Sequence, residues 1–273
     1  MPRASSPSVL IAADVQAILK DLQAAGTERK RASANRVGIP MGKAFGVSVS
    51  HVRRLARQWK GRTDLAEPLW ASDIHEARLL AVLLVDPKAM GRSELERWLR
   101  DVVSWDLCDH LCGDLVSRRS DAADLVQRWI KSPALYFKRA AFAVMAQVAV
   151  HDKKLDAGAI EVMLGHIVEY ADDSRLHVRQ AASWALRSIG KRDGACRERA
   201  LSAAVALLET EEVSKRWVGR DAMRELEGLV KVPERGRLLS SKAGTAAKQA
   251  ELQPNGKPRA KPGRTLVPEG KLK

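Results

Sequence analysis

The sequence predicts an all-α protein, a curved solenoid of αα-hairpins with a basic concave face. Three observations carry this expectation. Apolar stripes at helical spacing recur almost without interruption from residue 7 to about 230. Strand-like alternation and hairpin dipeptides such as Asn-Gly are absent before the C-terminal stretch. The stripes are separated by connectors of two to eight residues, which makes neighbouring helices antiparallel.

Taken in order, Val9, Leu10, Val15, Ile18, Leu19 and Leu22 form a first helical stripe that ends at Gly26. Ser48 or Ser50 caps a second helix, which carries Val52, Leu55 and Trp59 and stops at Gly61. A third starts at Ser72 or Asp73 and runs through Ile74, Ala77, Leu79, Leu80, Leu83 and Leu84 to Pro87. Ser93 with Glu96 reads as a capping box ahead of Leu95, Trp98, Leu99 and Val102. The rhythm continues near 104–117, 119–131, 134–149, 156–171, 174–190, 194–209 and 211–229. Short helix pairs stacked in this way resemble HEAT-type repeats, although no strict repeat is legible.

The chain of 273 residues is long enough for a sizeable core, and 45% apolar with 29% charged residues suits a soluble globular protein. The longest apolar run, Leu79 to Val85, falls far short of the roughly 18 residues that a membrane span needs. The start Met1-Pro2-Arg3-Ala4-Ser5-Ser6 carries no signal-peptide pattern, so the expected location is the cytoplasm, at the nucleoid. Three cysteines make no disulfide framework. Cys108 and Cys112 flank His110 without the further convergent ligands a zinc site requires, so neither metal nor cofactor is expected.

Net charge is the main compositional statement about partners. Of the +14 total, residues 231–273 carry +8, from eleven Lys and Arg against three Glu, and residues 1–230 carry +6. A basic body with a basic tail suits a polyanion, most often nucleic acid. From Val232-Pro233 onward Lys, Gly, Pro, Ala and Ser dominate, which predicts a domain of residues 1–230 followed by a disordered basic tail over 231–273.

The stretch that carries chemistry is Ser104-Trp105-Asp106-Leu107-Cys108-Asp109. Trp105 and Asp109 stand four apart on one helix face, an indole beside an acceptor-only anion, which suits a positively charged, sugar-like transition state. Taken alone, Trp105 reads first as an ordinary core residue and Asp109 as a surface acid; the coincidence with the motifs below on further helices is what favours a site. Asp106 reads as a first-turn residue favourable to the helix dipole after the N-cap Ser104.

Two further patterns follow, Tyr136-Phe137-Lys138-Arg139-Ala140-Ala141 and Val178-Arg179-Gln180-Ala181-Ala182-Ser183-Trp184-Ala185-Leu186-Arg187. Together with Trp105-Asp106-Leu107-Cys108-Asp109, and with Phe45-Gly46-Val47-Ser48-Val49 and His75-Glu76-Ala77-Arg78 before it, they resemble the alkylpurine DNA glycosylases of the AlkD type. These are HEAT-like members of the DNA alkylation repair family, and the likeness spans roughly residues 35–230. Tyr136-Phe137 departs from the family, which often has a tryptophan before the arginine.

The resemblance implies that Asp109, Trp105, Arg139 and Trp184 surround the deoxyribose of a damaged nucleotide in duplex DNA. It also implies excision of cationic N3- or N7-alkylated purines without base flipping, in contrast to most enzymes that act on a base. The chemistry is consistent. Such a base leaves neutral, and the charge passes to the sugar as an oxocarbenium ion. A carboxylate at Asp109 would stabilise it and orient water. Indoles at Trp105 and Trp184 would add cation–π attraction of about 0.5–2 kcal/mol each. Arg139 would hold a backbone phosphate. No lysine stands where an amine nucleophile is needed, so a monofunctional hydrolase acting without cofactor is expected.

Further DNA contacts are expected at Arg179, Arg187, Arg216 and Arg220, and at Arg53 and Arg54 on the opposite arm. His75 and His110 show no identifiable partner in the sequence and receive no role. The expected partner is double-stranded DNA containing alkylated bases, bound by a monomer. The alternative is a non-catalytic HEAT-like DNA-binding or scaffold protein.

Overall fold

The computed structural model describes residues 7–40, 42–232 and 235–241. Thirteen α-helices occupy most of these residues: α1 (Pro7–Ala25), α2 (Glu28–Arg36), α3 (Val49–Gln58), α4 (Ala66–Ala71), α5 (His75–Leu84), α6 (Arg92–Asp101), α7 (Trp105–His110), α8 (Ala122–Trp129), α9 (Leu135–His151), α10 (Ala157–Tyr170), α11 (Leu176–Gly190), α12 (Gly194–Leu208) and α13 (Val213–Leu226). The fold is an all-α repeat, as the stripes predict.

The contacts sort the helices into layers. Helices α3, α5, α7, α9, α11 and α13 pack each against the next, forming one continuous layer, while α8, α10 and α12 pair with the layer helix that follows them. This is the arrangement of stacked αα-hairpins, in which each unit buries its apolar face against its neighbours. At the centre lies α9, where eight consecutive residues, Arg139 to Ala146, are all buried. Alanine dominates there, so neighbouring backbones approach closely. Farther along, Trp70 of α4 and Trp98 of α6 stack face to face at 4.2 Å and give their indole N–H groups to Asp101 and Glu67.

Local differences from expectation have physical causes. In α1, Val9 and Leu10 are exposed and the buried stripe starts at Val15. The short helices α2 and α4 lay outside the expected set. No residue of α2 is buried, so there is no stripe to read. Ser48 does cap α3, accepting from the His51 N–H. The Ser93–Glu96 capping box does not form, because α6 is capped at Gly91 without a side-chain bond. Glu96 turns inward instead, accepting from the Trp129 indole at 3.2 Å and pairing with Arg128 at 3.3 Å.

The ordered chain also passes the expected boundary at 230. Leu229–Val230 and Leu239–Ser240 form an antiparallel strand pair, β1 and β2. Leu238 is buried and gives its N–H to Lys191 O at 2.8 Å, and Arg237 donates to Ser188 O at 2.6 Å. Residues 235–241 therefore close over the C-terminus of α11, where the composition had predicted the start of a disordered tail. The remainder of that tail, 242–273, lies outside the described residues.

Candidate active site

The first functional side chains come from α7, which begins at Trp105 after the extended backbone of Ser104. Helix α7 runs on into a π-helical stretch, Leu111–Leu115, a feature frequent at functional sites. Trp105 is anchored by its indole N–H, which donates to Val37 O at 3.0 Å. Asp109, one turn further along, faces Arg139 of α9. The guanidinium gives Nε and Nη2 to the carboxylate in a forked pair at 2.8 to 3.1 Å, and Nη1 to His177 O. The Arg139 Cζ also lies 6.0 Å from the centre of the Trp105 ring.

The opposite wall comes from α11 and α13. His177, Gln180, Trp184 and Arg187 follow one another at helical spacing along α11, and Trp217 and Asp221 stand one turn apart on α13. With Trp105, Asp109 and Arg139 these residues line a cleft of about 530 Å³. The two tryptophans read from the sequence thus line the same cleft. On its other side, Trp105 and Asp109 border a larger cavity of about 950 Å³, lined also by Arg53, His110, Asp114 and Gln147.

Burial raises the Asp109 carboxyl above its ordinary range. The charge and hydrogen bonds of Arg139 pull it back only in part, and the nearby Asp106 adds to the rise. For Asp106 the balance reverses. Burial pushes it up, but the bond to His75, 2.9 Å away, holds it below the usual range. Asp114 behaves alike, with burial overcome by His110 and Arg53. Burial and the charge of Arg139 both depress His177.

Several expectations change in this light. Arg139 does not present a free fork to phosphate, because its donors are committed to Asp109 and to the His177 carbonyl. His75 and His110 have partners after all, Asp106 and Asp114. Asp106 is a half-buried pairing partner of His75, beyond its favourable place in the first turn. Arg53 is forked onto Asp114, and Arg187 is bound to Ser183, Asp221 and Glu225. Arg216 folds onto the Thr210 and Glu211 carbonyls. Arg54 is exposed and, among the described residues, reaches His51 alone. Arg220 is exposed, with no partner among the described residues. Arg179 lies 4.7 Å over the Trp217 ring. The thiols of Cys108 and Cys112 are buried and point at the Tyr136 and Ala140 carbonyls of α9.

Trp217, His177 and Gln180 were missed by sequence reasoning. A signal for Trp217 existed, since Trp217-Val218-Gly219-Arg220-Asp221 repeats the Trp-x-x-x-Asp spacing of Trp105 and Asp109.

Among known proteins, the sequence matches the family described as DNA alkylation repair enzyme over residues 18–226. A solved structure of a protein from a new family related to the HEAT-like repeat DNA glycosylases, with affinity for branched DNA structures, superposes with a TM-score of 0.65. It is 21% identical and covers 86% of this chain and 94% of its own, a likeness of fold. No curated protein matches the sequence. The family match runs from within α1 to the end of α13 and takes in every residue of the cleft, so the chain belongs to the DNA alkylation repair enzyme family.

Proposed function

We propose that the protein is a monofunctional DNA glycosylase that hydrolyses the N-glycosidic bond of cationic N3- or N7-alkylated purines in duplex DNA. The observation that carries this reading is the Asp109 carboxylate, set in one cleft with the indoles of Trp105 and Trp184. A sugar held there would develop positive charge as the neutral base departs. Asp109 lies where such a charge would be stabilised, and a partly buried carboxylate acts more strongly than a fully exposed one. The indole faces contribute cation–π attraction. Arg139 serves as a positioning residue, since its fork fixes the carboxylate that faces the sugar. Arg54 and Arg220, exposed on separate helices, supply backbone contacts, while Arg53, Arg187 and Arg216 reach DNA only by exchanging their present partners. The reading places a monomer on double-stranded DNA at the nucleoid.

The test is release of 7-methylguanine from duplex DNA by the wild type and by Asp109→Asn. The wild type releases base, and the variant is slower by about 10²–10³-fold, the usual cost of removing a group aimed at developing charge. A wild type that binds DNA and releases nothing defeats the glycosylase reading.

A second reading has specific support. The pairing of Asp109 with Arg139 neutralises the carboxylate at rest, and the fold neighbour comes from a family with affinity for branched DNA. On that reading the cleft recognises DNA without cutting a bond. Tight binding of a four-way junction in the absence of base release would establish it.

A further inference from the structure

The cleft holds a second Trp-x-x-x-Asp station that the proposed chemistry leaves without a task. In the first station, Asp109 of α7 is paired by Arg139 from α9, and the same guanidinium lies 6.0 Å from the Trp105 ring. In the second, Asp221 of α13 is paired by Arg187 from α11, and a different guanidinium, that of Arg179, lies 4.7 Å over Trp217. One arginine performs both tasks in the first station, whereas two share them in the second. Arg179 is thereby left with an aromatic ring beneath it and no anion.

We propose that Arg179, stacked on Trp217, grips a backbone phosphate of the strand whose sugar faces Asp109. This rests on the DNA-directed reading above and moves to Arg179 the phosphate contact that the family resemblance implied for Arg139.

Four observations converge on it. The forks of Arg139 and Arg187 are committed to carboxylates and neighbouring oxygens. The Arg179 side chain makes no hydrogen bond or ion pair with a described residue, and its Nε–H is buried without an acceptor, an unpaired donor of the kind binding sites retain. Nearby acids do not compensate its charge, because Asp221 is paired with Arg187 and Arg224, and Glu225 with Arg187 and Lys191. Trp217, whose ring lies beneath Arg179, lines the cleft itself. A guanidinium set over an indole presents its remaining donors as a planar fork that matches two phosphate oxygens. Arg220, one turn from Trp217 on α13 and without a described partner, stands ready for the adjacent phosphate.

The experiment measures binding of the full chain to a duplex bearing a tetrahydrofuran abasic site, across a range of salt concentrations. Arg179→Gln weakens binding several-fold and lowers the slope of log affinity against log salt by about one, the signature of one lost phosphate contact. Trp217→Leu, which removes the platform and leaves the charge, also weakens binding. Arg224→Gln removes an equal charge from α13 but only an arginine already bonded to Asp221, and it leaves the slope unchanged. The proposal is overturned if Arg179→Gln keeps the wild-type slope, if Trp217→Leu binds as the wild type does, or if Arg224→Gln lowers the slope as much as Arg179→Gln. The ligand is already abasic, so a protein that releases no base still answers the question, and failure of the glycosylase reading stays distinguishable.

Discussion

Asp109 stands under two opposed influences, burial that favours its neutral form and Arg139 that favours its charge, and burial prevails. The ionised form is the one that stabilises a cationic sugar. Base release should therefore fall away on the acidic side at a pH above the ordinary carboxylate range. In Arg139→Gln the counterweight is gone, so that acidic limb moves to still higher pH. A pH–rate profile of folded Arg139→Gln, corrected for spontaneous depurination, checks this, and a limb that stays put or moves down contradicts it. At this scale the sequence made Trp105, Asp109, Arg139 and Trp184 legible, and all four line one cleft. What it hid was pairing between helices. That Arg139 meets Asp109, that His75 meets Asp106 and that Arg53 meets Asp114 are facts of packing, and local spacing carries no trace of them.

Among the elements, the loop before α3 shows how one side chain can order a segment. Glu76, buried in α5, accepts from the backbone N–H groups of Phe45, Gly46 and Val47 at 2.7 to 3.0 Å. Gly46 adopts φ +78 there, and an added Cβ would stand 2.4 Å from Thr27 O. The clamp explains why the Phe45-Gly46-Val47 and His75-Glu76 motifs occur together. Glu76→Ala strands three donors and should cost about 3 kcal/mol, a fall in Tm of roughly 9 °C for a domain of this size. Thermal unfolding measures the loss, and hydrogen exchange at residues 45–47 should lose its protection with it. Helix stripes were legible where a helix of several turns buries a face, as in α5 and α9, and not in α4, whose six residues are too few to show a period. They failed for α2, which buries nothing, and at Ser93–Glu96, where tertiary contacts with Trp129 and Arg128 outweigh a local cap.

For the molecule as a whole, the layered hairpins were legible because apolar period and connector length determine them together. The β1–β2 closure was not, since the Lys-, Gly- and Pro-rich composition after 230 masks the contributions of Val232 and Leu238. A chain ending at residue 230 loses those buried side chains. It should melt lower than one ending at 241, by about 2 kcal/mol or roughly 6 °C. The chain ending at 241 should melt with the full-length protein but bind DNA with a shallower salt dependence, because residues 242–273 carry eight Lys and Arg against two Glu. Calorimetry and salt titration of the two truncations decide both points.

The burial of Arg139 within the run to Ala146 has one more consequence. The group that orients Asp109 belongs to the segment with least access to solvent, where local opening is most costly and last to occur. The rim of the cleft can fray and recover while the carboxylate keeps its place. Heat should thus remove the chemistry only together with the core, with no interval in which the protein is compact but its reacting centre is already loose.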